Sequence, residues 1–266
     1  MIIIGEKINS TLKAVKPAIE NYDAEFIQNL ARKQYEAGAN YIDLNAGMFH
    51  DDEPERLEWL VKTVQEAIDA PFSLDSPNVL AIERALKVNK NGKPIINSIT
   101  DEKERYDSFL PLILEYKTSV IALCMDDTGM PETVADRLKI ADRIIGKLTD
   151  KGLCPSDIYI DPMIRPISTG SNYGTVALET IRNVKSKYPD VHIACGLSNI
   201  SYGLPGRKIL NQAFLIAAMT SGMDGAILDP LDKKLMTFLY TTEALLGYDE
   251  FCMNYLSKYR DGSLEI

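Results

Sequence analysis

Long apolar runs are missing from this sequence. Met1 to Gly5 form a short one that meets Glu6 and Lys7 at once, far below the length of a signal core or a membrane span, and no other stretch reaches that length. A cytoplasmic protein without membrane attachment is expected. Cysteine pairing is missing as well: Cys124, Cys154, Cys195 and Cys252 are scattered and make no C-x-x-C, so they read as reduced thiols rather than a disulfide or zinc framework. With only His50 and His192, the count argues against a histidine-bearing zinc site and no bound metal is expected; His192 reads as a strand histidine and His50 as a solvent-facing loop residue. Positive charge is in deficit, with 29 Lys and Arg against 38 Asp and Glu and a formal charge of -9, which argues against nucleic-acid binding. Neither a G-x-G-x-x-G fingerprint nor a P-loop occurs. No strand ends in a lysine suited to Schiff-base chemistry: Lys93 precedes its strand, and Lys7 reads as part of a loop.

What is present is regular. Of the 266 residues, 45% are apolar and no linker interrupts them, so one domain spanning residues 1–266 with a sizeable core is expected. Eight β-branched runs alternate with amphipathic helical stretches: Ile2 to Ile4, Tyr41 to Leu44, Phe72 to Leu74, Pro94 to Asn97, Ser119 to Leu123, Ile158 to Ile160, His192 to Ala194 and Ala226 to Leu228. The first full helix starts near Asp23, carries Phe26, Ile27, Leu30 and Ala31 on one face, and stops at Gly38. The next shows Leu57, Leu60, Val61, Val64 and Ile68, with Pro54 in its first turn. Ser76-Pro77 and Pro131-Glu132 are expected to open later helices, and a terminal helix is expected over Glu250 to Tyr259. Eight strand-helix units without a break specify an α/β fold, a single (β/α)8 TIM barrel.

Barrels of this kind set their chemistry at the C-terminal ends of the strands. Here those ends carry Glu6 with Asn9, Asp43 with Asn45, Asp75, Asn97 with Ser98, Cys124 with Met125, Asp161, Ser198 with Asn199, and Asp229. Carboxylates and carboxamides dominate, and such a ring is poorly suited to phosphate. It suits a neutral, flat heterocycle: a carboxylate accepts two parallel N–H bonds from a 2-amino-pyrimidinone edge, and Asn both donates and accepts. Asp161-Pro162, Asp229-Pro230 and Asp75-Ser76-Pro77 are each also open to a reading as helix caps or turn residues, with Ser76 the better cap of its segment. Cys195 has no base in its pattern and reads as packing.

Six segments together resemble the methyltetrahydrofolate:corrinoid methyltransferases of the pterin-binding barrel superfamily. They are Gly5-Glu6-Lys7-Ile8-Asn9, Asp43-Leu44-Asn45-Ala46-Gly47, Leu74-Asp75-Ser76, Ile96-Asn97-Ser98-Ile99, Ile160-Asp161-Pro162 and Gly196-Leu197-Ser198-Asn199-Ile200-Ser201, the last being the most specific. The resemblance implies a pterin site built by Asp75, Asn97, Asp161, Gly196, Ser198, Asn199 and Tyr202. Within it Asn199 lies near N5, and Asp75 shares in catalysis by holding the pterin and biasing its protonation. Tyr202 stands where several relatives have Gln. The substrate implied is tetrahydrofolate or 5-methyltetrahydrofolate, and the corrinoid is supplied by a partner protein, because no Asp-x-His-x-x-Gly segment offers cobalamin a histidine. A homodimer is implied too.

Two alternatives remain at this point. A non-catalytic folate-binding subunit of a methyl-transfer complex would use the same binding residues. A dihydropteroate synthase-like enzyme is disfavoured by the residues: the first loop reads Asn9-Ser10-Thr11-Leu12-Lys13 rather than Asn-x-Thr-Pro-Asp-Ser-Phe, and the seventh strand ends in Ser198-Asn199 rather than Ser-Arg-Lys.

Overall fold

The computed structural model describes residues 1–265, and the expected terminal residue Ile266 lies outside them. Eight parallel strands close on themselves in chain order: β1 (Ile2–Asn9), β2 (Tyr41–Asn45), β3 (Phe72–Asp75), β4 (Ile95–Ile99), β5 (Ser119–Leu123), β6 (Ile158–Asp161), β7 (His192–Gly196) and β8 (Gly225–Leu228). Around them run α1 (Lys16–Glu20), α2 (Ala24–Glu36), α3 (Glu53–Gln65), α4 (Val79–Val88), α5 (Lys103–Tyr116), α6 (Val134–Asp150), α7 (Tyr173–Lys187), α8 (Arg207–Thr220), α9 (Lys233–Leu245) and α10 (Met253–Arg260). This is the expected (β/α)8 barrel. Among the described residues no helix is long and apolar enough to cross a membrane.

Strand alternation separates two cores. Outward residues such as Ile8, Ile42, Leu44, Leu74, Ile96, Val120, Ile160 and Ile193 join the helices in the large outer core. A smaller cluster, Ile4, Ile95, Ile121, Tyr159 and Ala194, fills the barrel, packed with Ile2, Tyr41, Leu123 and Ile227. Two residues further along the same strands the inward positions turn polar, so this inner cluster is the apolar floor beneath Glu6, Asp43, Asn97 and Asp161.

Helix ends follow the expected chemistry in some places and depart from it in others. Asp23 caps α2, accepting from Phe26 N–H at 3.0 Å, and Gly38 follows that helix at a positive φ of 103°. Pro54 sits in the first turn of α3. The opening of α4 differs: Asn78, not Ser76, is its N-cap, accepting from Leu80 and Ala81 N–H. Ser76 Oγ is instead held below the strand end, donating to Glu53 Oε1 at 2.6 Å. Thr133, rather than Pro131-Glu132, caps α6 by accepting from Asp136 N–H. The terminal helix is α10 preceded by a 3-10 turn over Glu250–Cys252.

The largest difference lies in β1, which continues five residues past the expected apolar run. Its register against β2 slips between Gly5 and Ile8, a bulge. Gln34, fully buried on α2, supplies Oε1 as acceptor for the Lys7 N–H at 2.9 Å. The side chain arriving from the helix replaces a ladder acceptor that the slipped register has removed. Because of the bulge, the adjacent residues Glu6 and Lys7 both face inward.

Candidate active site

The strand ends enclose a cavity of about 430 Å³, lined in turn by Glu6, Lys7 and Asn9 of β1, Asp43 of β2, Asp75 of β3, Asn97 and Ser98 of β4, Leu123 of β5, Asp161 of β6, Gly196 of β7 and the following Ser198 and Asn199. A hollow of about 570 Å³ elsewhere is bordered by surface Lys and Asp side chains including Lys103, Asp107 and Lys151, and it takes in none of these strand-end groups.

Four carboxyls share the cavity, and the apolar floor sets their acidity. Desolvation pushes Asp161 to about 6, although it accepts from the backbone N–H of Met163 at 2.7 Å and of Gly196, and Arg137 pulls it down. Desolvation also carries Asp75 to about 6, opposed by Asn45 Nδ2 donating to its Oδ2 at 2.9 Å. Asp43 is raised well above the usual carboxylate range by burial first and by Asp75 second. Ser73 Oγ at 2.6 Å and Asn97 Nδ2 at 3.1 Å both donate to it. Glu6 rises to about 7, through desolvation and then the nearby Asp229, with Lys7 and Arg207 pulling the other way.

One buried and one half-buried cation hold the loops that carry these groups. The Arg137 guanidinium, wholly buried on α6, donates to the carbonyls of Pro162 at 2.6 Å and Met163 at 2.9 Å, fixing the turn after Asp161 in which Met163 adopts a positive φ of 61°. Arg105 of α5 does the same for β4, with Nε and Nη2 both donating to the Ser98 carbonyl at 3.0 and 2.7 Å. Asn199 lies in a 3-10 turn, Leu197–Ser201, directly after β7. Its exposed carboxamide has no hydrogen-bond partner among the described residues. It lies against Gly196, where an added Cβ would stand 3.1 Å from Asn199 Nδ2.

A model of pterin-binding enzymes matches residues 6–229, from the first cavity carboxylate to the last strand end. The chain belongs to that family. It is 38% identical over 267 residues to the methylcorrinoid:tetrahydrofolate methyltransferase of Eubacterium limosum, a match that covers 99% of this chain and 98% of that protein. It is 30% identical over 240 residues to the methionine synthase of Mycobacterium tuberculosis, covering 85% of this chain but only 20% of that much longer protein. Among solved structures, dihydropteroate synthase of Yersinia pestis with a pterine-sulfa conjugate superposes with a TM-score of 0.67 at 14% identity, over 92% of this chain and 94% of that one. A second structure of the Y. pestis synthase gives 0.66 at 15% identity. At such identities these two likenesses speak to the fold alone.

Within this pterin-binding barrel, six of the seven residues expected at the site, Asp75, Asn97, Asp161, Gly196, Ser198 and Asn199, line one cavity. The seventh, Tyr202, does not: its side chain is 66% exposed on the rim, its carbonyl accepts from Ser168 Oγ at 2.7 Å, and the Arg207 guanidinium stands 5.9 Å from its ring. Residue 202 closes the 3-10 turn with an extended backbone, and that aims the side chain away from Asn199. The capping alternatives also resolve. Asp161 and Asp229 each accept from the N–H two residues on, and Asp161 still lines the cavity. Asp75 caps nothing.

Two basic groups overlooked in the sequence approach the ring. Lys7 is a strand residue, not a loop one, and its Nζ donates to Asp229 Oδ2 at 2.9 Å. Arg207, nine residues after Ser198, donates back to the Ser198 carbonyl at 2.7 Å. Asp43 and Glu6 were visible as strand-end polar residues, but nothing local marked Asp43 as buried or Glu6 as half-buried. His192 stacks on Tyr159 at the opposite end of the barrel with Nδ1 on Asp224 at 2.9 Å, and Cys195 is buried against Met223.

Proposed function

We propose that this protein transfers a methyl group between N5 of tetrahydrofolate and the cobalt of a corrinoid protein. The observation that carries this reading is the end-to-end likeness to a protein named for that reaction, 38% identical over 99% of the chain. A pterin edge offers the donors that Asp75 and Asp161 can accept, with Asn97 between them. Gly196 leaves room for the flat ring, and the free carboxamide of Asn199 is available for N5.

The corrinoid, brought by its partner protein, supplies the cobalt that gives or takes the methyl group. The chain's own share is orientation and charge stabilisation. Asp161, held by two backbone N–H groups, anchors the ring. Asp75 anchors it as well and, with its acidity near neutral, biases the ring's protonation. Asn199 turns its amide to donate to N5 or accept from it as charge at that atom changes. A homodimer belongs to the same reading.

The test mixes the protein anaerobically with 5-methyltetrahydrofolate and cob(I)alamin and follows loss of the Co(I) absorbance, beside a folate titration. Asn199→Ala should keep folate binding and raise the barrier by about 2 to 4 kcal/mol. Full transfer by that variant would remove Asn199 from the chemistry. Binding without transfer, even with a corrinoid protein present, would favour a folate-binding subunit, and no binding would end the pterin reading.

A further inference from the structure

Beside the pterin cavity lies a second one, of about 280 Å³, bordered by Arg207, Lys208, Asn211, Asp229 and Asp232. The two cavities share Glu6, Leu12 and Ser198. Of these three, Glu6 alone bears an ionisable group. The outer cavity opens at the rim, where Arg207 and Lys208 are exposed; Lys208 pairs with Asp232 at 3.2 Å across its mouth. Glu6 therefore stands between the substrate space and a solvent-connected annex. Its position follows from the β1 bulge, since an unbroken strand would turn one of the adjacent residues Glu6 and Lys7 outward.

The other cavity carboxylates are engaged. Asp43 accepts from Ser73 and Asn97, Asp75 from Asn45, and Asp161 from two backbone N–H groups. The Glu6 carboxyl has no hydrogen-bond partner among the described residues, although Lys7 on its own strand, Asp43 on β2, Arg207 on α8 and Asp229 after β8 all face it.

Resting on the methyl-transfer reading above, we propose that Glu6 is the acid–base group of the reaction, passing the N5 proton between the pterin cavity and water in the annex. When tetrahydrofolate is methylated, the N5 lone pair forms the new N–CH3 bond, and the methyl–cobalt bond breaks with its electron pair left on cobalt. The N5–H proton passes to the Glu6 carboxylate, directly or through one water, and from there to the annex. In the opposite direction the Glu6 carboxyl delivers the proton to N5 as the N–CH3 bond breaks and the methyl group leaves for cobalt(I). A group of acidity near 7 is populated in both forms at neutral pH, so it serves either direction.

The experiment compares the full-length protein with Glu6→Gln and Glu6→Asp, using tetrahydrofolate, 5-methyltetrahydrofolate and free cobalamin as probes. It measures folate affinity by titration and turnover against pH. Glu6→Gln is expected to bind folate within about threefold of the parent, to lose turnover roughly a hundredfold to ten-thousandfold, and to lose the pH step near 7. Glu6→Asp should recover part of the turnover and keep a step. Parent activity with an unimpaired Glu6→Gln overturns this proposal alone, as does a variant that loses folate binding, which would make Glu6 a binding residue. An inactive parent overturns the methyl-transfer reading and this proposal with it.

Discussion

Replacing Asp161 by Asn should make the protein more stable at alkaline pH and a poorer folate binder. Burial raises its carboxyl from 3.8 to about 6, a shift of about two units, so ionising it costs about 3 kcal/mol of folding free energy. The folded state binds this proton more tightly than the unfolded chain does. Its effect on stability is therefore absent below about pH 4, grows as pH rises towards 6, and is complete above that. Asn removes the cost. Its Oδ1 keeps the Met163 N–H, but its amide cannot also accept from Gly196 N–H, a loss of about 1 kcal/mol. The net gain at pH 8 is then about 2 kcal/mol, or roughly 4 to 8 °C in thermal midpoint for a domain of this size. Roughly half of the 3 kcal/mol ionisation cost is still in force at pH 5, so the net advantage there should fall below 1 kcal/mol. Thermal unfolding followed by circular dichroism at pH 8 and pH 5 measures both. A variant no more stable at pH 8, or one with an equal gain at both pH values, would refute the claim that the apolar floor sets the acidity of the ring. Folate affinity at pH 8 should fall about tenfold to a hundredfold as a charged acceptor is lost.

Asp75→Asn should weaken folate binding by about tenfold or more in a calorimetric titration, and an unchanged affinity would take Asp75 out of the site. Wild-type folate affinity should itself decline as pH falls below about 6, where Asp75 and Asp161 take up protons, whereas affinity constant down to pH 5 would mean that neither binds as a carboxylate. Gly5→Ala would set a Cβ 2.6 Å from Gln34 Oε1, displacing the acceptor of the Lys7 N–H. Urea unfolding should show a loss of about 1 to 3 kcal/mol, and stability equal to the parent would mean that the bulge does not depend on Gln34.

The sequence carries the barrel plainly because the strands contribute short apolar runs, all but the fifth followed by a polar end, and neither signal depends on distant residues. It carries the caps poorly. Ser76-Pro77 and Pro131-Glu132 have the right chemistry, yet Asn78 and Thr133, two residues on, hold the helix N–H groups, and Ser76 Oγ is engaged by Glu53, a partner remote in sequence. The full length of β1 was illegible for another reason. The consecutive polar pair Glu6-Lys7 breaks the alternation, and the residue that rescues the broken ladder is Gln34, remote in sequence. The same bulge brings Lys7 into the cavity and so puts a cation where the strand-end pattern showed none. Tyr202 is the converse case: it sits beside the most specific motif, but the turn after Asn199 aims its side chain to the rim.

The apolar floor has a consequence for how a ligand enters. With the barrel filled below by Ile4, Ile95, Ile121, Tyr159 and Ala194, no water reaches the cavity through its floor. A flat ring that covers the opening thus expels water from the carboxylates it touches, and the annex beside Glu6 is left as the route by which a proton meets water. Ligand entry, drying of the cavity and redistribution of protons among the four acids become a single event, and the ring meets its acids in a medium that exists only while it is bound.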